Sequence, residues 1–227
     1  MSFETICSNI VKIMGEYWYI FLVKGVGITL LLSAITVAFG AILGSLFALA
    51  KMSRIPPLRW LVNIIVEVVR GTPILLQLYI GYFIVPQLLP FMEVSDFTSI
   101  AVALVINSAA YVSEIIRSGI QAVDRGQTEA ARTLGLNGFQ TMLHIVLPQA
   151  VKNILPALCN EFVSIIKETS LASTFFIGDL MTQYNTIRGV TYRVIEPLII
   201  VGCIYLVVTF TLSKLISVYE RRLKVGD

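Results

Sequence analysis

The chain has 227 residues, of which 56% are hydrophobic and 14% are charged, and its formal net charge is +3. Soluble domains are about a quarter charged, so this composition excludes an ordinary soluble domain and indicates a membrane protein. The three cysteines are far apart and form no CxxC pair, which predicts neither a disulfide framework nor a metal site.

Uncharged runs long enough to cross a bilayer recur along the chain. A helix needs roughly 17–25 apolar residues to cross a hydrocarbon core of about 30 Å. The runs predict four spans, at 25–50, 71–92, 97–113 and 197–213. A fifth is predicted at about 154–181, although Glu161, Lys167 and Glu168 interrupt it. Because a helix satisfies its own backbone groups in lipid, we expect an all-α membrane protein with about five transmembrane helices.

The positive charges predict the orientation of these spans. With the N-terminus outside, the segments on the cytoplasmic side hold eleven Lys and Arg residues and the outer segments hold four. The positive-inside rule therefore favours an outer N-terminus and a cytoplasmic C-terminus. The expected organisation is an extracytoplasmic or interfacial segment at 1–24, a membrane domain at 25–217 and a cytoplasmic tail at 218–227.

The first segment and first span carry two local signals. Residues 1–24 contain four charged residues, which argue against a cleaved signal peptide, and the cluster EYWYIF at 16–21 suits the outer headgroup level. In the span, Gly40 and Gly44 form a GxxxG pattern. That pattern either permits close approach of another helix or is a chance pair in a glycine-rich helix.

A helix break is predicted at the cytoplasmic start of the second span. Gly71 suits a helix C′ position, Thr72 an N-cap and Pro73 the first residue of the next helix. The candidate residues of this break or gate are Arg70, Gly71, Thr72, Pro73 and Gln77.

Polar residues inside the third and fourth spans form stripes at helical spacing. The candidate substrate-path residues are Asn107, Ser108, Tyr111 and Glu114 in the third span and Glu161, Ser164, Lys167 and Glu168 in the fourth. A charge at bilayer depth costs at least a few kcal/mol, so such groups usually face a partner or a watery cavity. Three interpretations stay open: a substrate path, internal ion pairs, or, chiefly for Glu114, snorkelling to the interface.

Three further stretches carry structural signals. Within 167–174, Thr169 and Ser170 are potential N-caps and predict a discontinuous helix. The polar stretch 182–196 predicts an outer loop, and YERRLK at 219–224 predicts a basic inner anchor.

The sequence carries no motif for covalent chemistry. No glycine is followed by lysine, so a phosphate-binding P-loop is absent, and HExxH, GxSxG and clustered Cys, His and Asp are absent too. His144, the single histidine, is interpreted as a surface or interface residue. We therefore expect no enzyme activity, no metal and no cofactor bound by this chain itself.

One polar stretch, EAARTLGLNGFQTMLHIVLP at 129–148, follows the spacing EAA-x3-G-x9-I-x-LP. This spacing resembles the cytoplasmic signature of the membrane subunits of bacterial ABC importers, the binding-protein-dependent type I permeases. EVVRGTPILLQL at 67–78, the stretches at 106–135 and 147–171, and the YERRL ending are similar to the polar amino-acid permeases for histidine, glutamine and arginine. The resemblance extends from about residue 20 onward.

The resemblance implies a type I permease fold with a coupling segment at about 120–148 that lies in a cleft of a cytoplasmic ATPase. The residues themselves fit this role, because EAARTL is rich in helix formers and Gly135 and Gly138 permit a sharp turn. The candidate coupling residues are Glu129, Ala130, Ala131, Arg132, Gly135, Leu147 and Pro148.

The same resemblance implies the permease subunit of an ATP-driven amino-acid importer in the bacterial inner membrane. Its expected partners are two copies of the ATPase, which would bind ATP and Mg, a second permease subunit as homodimer or heterodimer, an extracytoplasmic solute-binding protein and the lipid bilayer. The expected substrate is a polar or basic L-amino acid such as arginine, histidine, lysine or glutamine. No nucleic acid is expected. An ion-coupled secondary carrier or a channel subunit remains the alternative.

Overall fold

The computed structural model describes residues 3–91 and 93–224, with side chains described as far as Val218. Within these ranges the chain forms ten α-helices and no strand. The helices are α1 (Phe3–Tyr19), α2 (Val26–Met52), α3 (Pro56–Gly71), α4 (Ile74–Leu88), α5 (Asp96–Gln121), α6 (Arg125–Thr133), α7 (Gly138–Thr141), α8 (Leu147–Glu168), α9 (Leu180–Thr191) and α10 (Ile195–Lys224). The connecting helical segments are π-helical at Ile20–Gly25 and Met142–Val146 and 3-10 at Thr169–Phe175.

The first two helices form one continuous helix of 50 residues through the π-helical segment. At about 1.5 Å per residue, this helix is more than twice as long as a hydrocarbon core of about 30 Å. Its first part is held to the bundle by apolar packing, since Ile13 and Phe21 lie in one buried cluster with Tyr184 of α9 and Ile200 of α10. The segment before the predicted first span is therefore helical from residue 3 onward and joins the packed bundle from about Asn9.

Close packing of α2 on α5 forms the centre of the bundle. A methyl group on Gly40 would lie 2.6 Å from Ser108 Oγ, and one on Gly44 would lie 2.7 Å from Val112 Cβ. Only glycine allows these backbones to approach so closely, so the GxxxG pair is a packing motif and not a chance pair. The pairing of 40 with 108 and of 44 with 112 also shows that the two helices run parallel here.

The predicted break before the second span is present between α3 and α4, which meet at an angle of 113°. The predicted roles are shifted: Gly71 is the last residue of α3 rather than its C′ residue, and Pro73 is the N-cap of α4 rather than its first residue. Thr72 was expected to cap α4, but its hydroxyl donates to the Val68 carbonyl at 2.9 Å. This threonine therefore closes α3 instead of starting the next helix.

The helix that contains most of the predicted span 154–181 begins before residue 154 and ends before residue 181. The helical run that is long and apolar enough to cross a membrane extends over Gly138–Phe175. The discontinuity expected at 167–174 is a tightening of α8 into a 3-10 segment, and neither Thr169 nor Ser170 caps a new helix. The Thr169 hydroxyl donates instead to the Ile166 carbonyl at 2.8 Å.

The loop predicted at 182–196 is mostly the helix α9, so that prediction is wrong. Leu180, Tyr184 and Ile187 are spaced for one helical face and are buried together. Asp179 caps the helix by accepting the Met181 N–H at 2.9 Å and the Thr182 hydroxyl. Burial raises the pKa of the Asp179 carboxyl, an effect that these hydrogen bonds oppose.

The expected all-α fold with about five spans is confirmed. Four described helices are long and apolar enough to cross a membrane, and the bent pair of α3 and α4 makes a fifth. Among them α5 is the most buried, which fits its central place between α2, α4 and α8. The side chains of the predicted anchor at 219–224 and residues 225–227 of the predicted tail lie outside the described residues.

Candidate functional site

The nine-residue helix α6 lies outside the spans and is fixed at both ends. At its start the Asp124 side chain accepts the Gly126 N–H at 2.7 Å. At its end Gly135 has φ of 87°, and the Leu136 N–H donates to the Ala131 carbonyl at 3.1 Å. This is the Schellman arrangement, which needs a left-handed residue that glycine adopts without strain. The expected short helix and sharp turn are thus present.

The predicted coupling residues are mostly on the surface of this segment. In α6 the Ala131 side chain is buried, whereas Glu129, Ala130 and Arg132 are exposed. Leu147 and Pro148 form the exposed start of α8.

Two exposed residues of this surface are not among the predicted coupling residues. Leu134 and Phe139 are 84% and 74% exposed, although both are bulky and apolar. The sequence indicates them only by their position: both are bulky apolar residues close to the short glycine-containing turn between two polar helices. Gly138, which was expected to help the turn, instead begins α7 after the Asn137–Gln140 capping box.

The helix break is held together by one side chain, that of Gln77. Its Nε2 donates to the carbonyls of Val69 at 2.6 Å and Thr72 at 3.1 Å, which the break leaves without helical partners. Its Oε1 accepts from Asn107 Nδ2 at 2.8 Å. The sequence predicts Gln77 as a residue of the helix break and Asn107 as a residue of the substrate path. In the structure the two side chains are hydrogen-bonded to each other, and this contact, called the Gln77 joint, holds the bend against α5.

Glu114 lies in a cluster of positive charges at the end of α5. Lys51 Nζ donates to one carboxylate oxygen, and Arg117 Nη2 and Nε contact the other at 2.6 and 2.9 Å. Arg70 is at 3.8 Å from that second oxygen, and its guanidinium lies 5.5 Å from the Tyr111 ring centre. Of the three interpretations left open for Glu114, this geometry is that of an internal ion pair.

Ser108 is the remaining predicted residue of the α5 stripe. It is buried against Gly40, and its Oγ has no hydrogen-bond partner in the described part of the chain. The side chain therefore serves the close packing of α2 on α5.

The α8 stripe has a different character. Glu161, Ser164 and Glu168 are half-buried and Lys167 is exposed. The last three of these line a shallow depression of about 370 Å³ where α8 passes into the 3-10 segment. Among the described residues, neither Glu161 nor Glu168 has a hydrogen bond or an ion pair, and none joins this stripe to that of α5.

A helical membrane bundle with a broken span, polar stripes inside it and a capped helix outside it is the architecture of a membrane transport component. The chain belongs to the family described as "Binding-protein-dependent transport system inner membrane component", whose pattern matches residues 18–225. The expected family and inner-membrane location are therefore confirmed. Membership of this family identifies the chain as a transport component rather than an enzyme. It also argues against the alternatives of a secondary carrier and a channel subunit.

Individual relatives cover almost the whole chain. The arginine transport system permease protein ArtQ of Bacillus subtilis is 44% identical over 91% of this chain and 94% of its own length. The putative glutamine transport system permease protein GlnP of Rickettsia bellii is 41% identical over the same shares. A crystal structure of an amino acid ABC transporter with histidines has TM-score 0.87 and 47% identity over 92% of this chain and 96% of its own. The expected type I permease fold is thus confirmed.

Proposed function

We propose that this chain is the permease subunit of an ATP-driven, binding-protein-dependent importer of a polar or basic L-amino acid. The names of its relatives support an amino-acid substrate, since they specify arginine and glutamine transport. The missing P-loop supports a separate ATPase, because this chain has no phosphate-binding loop of its own.

The observation that carries the proposal is the construction of α6. A helix of nine residues is marginal alone, yet here caps define both ends and leave Glu129 and Ala130 exposed. Leu134 and Phe139 add exposed apolar surface beside it. Exposed apolar surface rimmed by polar residues is typical of a protein interface. We assign this surface to the ATPase, so that movement of the ATPase is transmitted through the segment at about 120–148.

The assembly follows from this assignment. Two ATPase copies bind ATP and Mg, and each supports one permease subunit, the second being a copy of this chain or a sister permease. The outer end, with α9 and the N-terminal helix, receives the loaded binding protein. Closure of the ATPases shifts the bundle between two states, so that a central site opens alternately to each side.

Within the bundle, we assign the substrate path to the α8 stripe together with the facing part of α5. Glu161, Ser164, Lys167 and Glu168 have polar groups available to a substrate, and carboxylates suit an α-amino group or a cationic side chain. On α5, Asn107 and Glu114 are already bonded to Gln77 and to Lys51, and they hold the wall of the path in place.

The test is ATPase stimulation by loaded binding protein in proteoliposomes that contain the whole transporter. Glu129→Lys reverses a charge on the exposed face of α6, and Gly135→Asp places a side chain at φ of 87°. Both are expected to lower stimulated ATPase activity and transport at least about tenfold, which corresponds to about 1.4 kcal/mol of lost coupling. Membrane insertion should stay unchanged in both variants. The thermal midpoint should stay unchanged in Glu129→Lys and fall slightly in Gly135→Asp, because a side chain at φ of 87° is strained.

Gly138→Ala is the matched control, because Gly138 starts α7 without a positive φ and an added methyl group meets only Arg132 Nη1 at 3.7 Å. It should retain stimulation. Unchanged transport in both test variants would show that α6 does not couple the chain to an ATPase.

A further inference from the structure

A groove of about 740 Å³ lies beside α6. Four parts of the chain form it: the loop after α2, the end of α5, α6 itself, and α7 with the π-helical segment that follows it. Its lining comprises Arg54, Ile120, Gln121, Val123, Arg125, Thr128, Arg132, Gly138, Thr141, Met142 and Val146.

Every charged residue in this lining is an arginine. Arg54, Arg125 and Arg132 are exposed side chains, and no ion pair is found for any of them in the part of the chain that the structure describes. Of the carboxylates near these arginines in the chain, Glu114 is held by the cluster on α5, Asp124 accepts the capping hydrogen bond of α6, and Glu129 forms no ion pair with a described residue. The groove therefore brings three guanidinium groups together, none of them in an ion pair within the described residues.

The position of the groove is at the boundary of the spans. Arg54 follows the last residue of α2 by two positions, and Ile120 and Gln121 are at the end of α5. Both helices are candidate membrane spans, so their common end lies where hydrocarbon gives way to headgroups. The lining is mixed accordingly, with apolar Ile120 and Val146 among the arginines.

We propose that this groove binds the phosphate-bearing headgroup of an anionic phospholipid. Guanidinium groups form bidentate, charge-assisted hydrogen bonds with phosphate oxygens, and basic pockets at the ends of spans hold anionic headgroups. The apolar lining faces the glycerol and the first methylene groups of the lipid. Free phosphate presents the same oxygens but has nothing to place on that apolar surface.

Of the predicted coupling residues, Arg132 also lines the groove, while the exposed side chains of Glu129 and Ala130 are left free for a protein partner. Arg125, Thr128 and Arg132 are spaced at i, i+3 and i+7 and line the groove, whereas Glu129 and Ala130 do not. A headgroup on one face and a protein on the other are therefore compatible. The lipid site goes beyond the transport function and does not depend on it, although a bound headgroup would help to fix the position of α6.

The experiment counts the lipids retained by the complete transporter in native mass spectrometry after extraction from bilayers of phosphatidylglycerol and phosphatidylcholine. The test variant is Arg54→Gln with Arg125→Gln. The control is Arg59→Gln, which removes an exposed arginine of α3 that does not line the groove. The wild type and the control should retain phosphatidylglycerol over phosphatidylcholine, and the test variant should retain it about tenfold less.

A second variant, Arg54→Lys with Arg125→Lys, keeps the charge but loses the bidentate fork, and is expected to show intermediate retention with the wild-type thermal midpoint. Equal retention in the test variant and the control would overturn the proposal. So would displacement of the lipid by millimolar inorganic phosphate, which would identify a soluble anion as the occupant. Loss of the ATPase from the test variant with phosphatidylglycerol retained would assign the arginines to a protein partner and also overturn it.

Discussion

The carboxylates of α5 and α8 look alike in the sequence but differ in the folded chain. Glu114 on α5 is contacted by Lys51 and Arg117, with Arg70 at 3.8 Å. Glu161 on α8 is half-buried as well, yet it has no hydrogen bond or ion pair with any described residue. One carboxylate is therefore part of the framework, and the other has no partner among the described residues.

The difference shows how a membrane bundle distributes its polar groups. A charge that is paired inside the chain is expensive to disturb, because removing one partner leaves the other buried and uncompensated. A charge that is only half-buried and unpaired contributes little to the fold and is free to bind a ligand. Thermal stability and transport should therefore respond in opposite ways to substitutions at the two positions.

The largest effect on stability is expected from Glu114→Gln. The side chains of Lys51 and Glu114 are only 9% and 16% exposed, so the substitution leaves a lysine charge without its partner in a region of low polarity. Breaking a buried pair in this way costs about 3 kcal/mol. The thermal midpoint of the purified transporter in lipid nanodiscs is the measurement.

Two controls accompany this variant. Glu16→Gln changes an exposed carboxylate of α1 and should leave the midpoint unchanged. Lys51→Met combined with Glu114→Leu removes both charges and should recover much of the loss, since an apolar pair is tolerated where a lone charge is not. If Glu114→Gln melts at the wild-type temperature, Glu114 does not hold the bundle together.

The sequence predicted the fold well where the signals are local. Span runs, the GxxxG pair and the break near Thr72 need only neighbouring residues, and the pair and the break were located to within a few positions. Two of the spans belong to helices that begin well before the predicted start, at Phe3 and Gly138. The prediction of a loop at α9 failed, because polar residues obscure the helical spacing of Leu180, Tyr184 and Ile187. Partners distant in the chain were not predictable at all. Lys51 meets Glu114 across 63 positions, so no pattern within α5 distinguishes its carboxylate from that of Glu161.

A smaller loss of stability is expected from Asn107→Leu. Without the Asn107 donor, Gln77 Oε1 loses its hydrogen bond of 2.8 Å next to the break between α3 and α4. An unsatisfied buried acceptor costs about 1–3 kcal/mol. The same thermal assay applies, with Asn63→Leu as the control because the described residues show no hydrogen bond to that asparagine side chain. An equal midpoint for the two variants would mean that the Gln77 joint does not stabilise the bend.

A still smaller effect is expected from Arg70→Gln. This side chain is 42% exposed, lies 3.8 Å from Glu114 Oε2, and contacts the Tyr111 ring at 5.5 Å from its centre. Exposed ion pairs and exposed cation–π contacts each contribute at most about 1 kcal/mol. The midpoint should fall by well under half the shift of Glu114→Gln. In Arg70→Lys the fall should be smaller still, because the lysine keeps the positive charge. A loss as large as that of Glu114→Gln would make Arg70 a main member of the cluster.

The smallest effect on stability, and the sharpest contrast with Glu114, is expected from Glu161→Gln. The substitution removes a half-buried charge without breaking any contact found in the described residues, so the midpoint should stay at the wild-type value or rise slightly. Transport should respond instead. If the carboxylate meets a cationic side chain, uptake of arginine falls far more than uptake of glutamine, because only arginine carries that charge. Equal losses for the two amino acids would restrict Glu161 to the α-amino group that both share, and unchanged uptake with a lowered midpoint would place Glu161 in the framework beside Glu114.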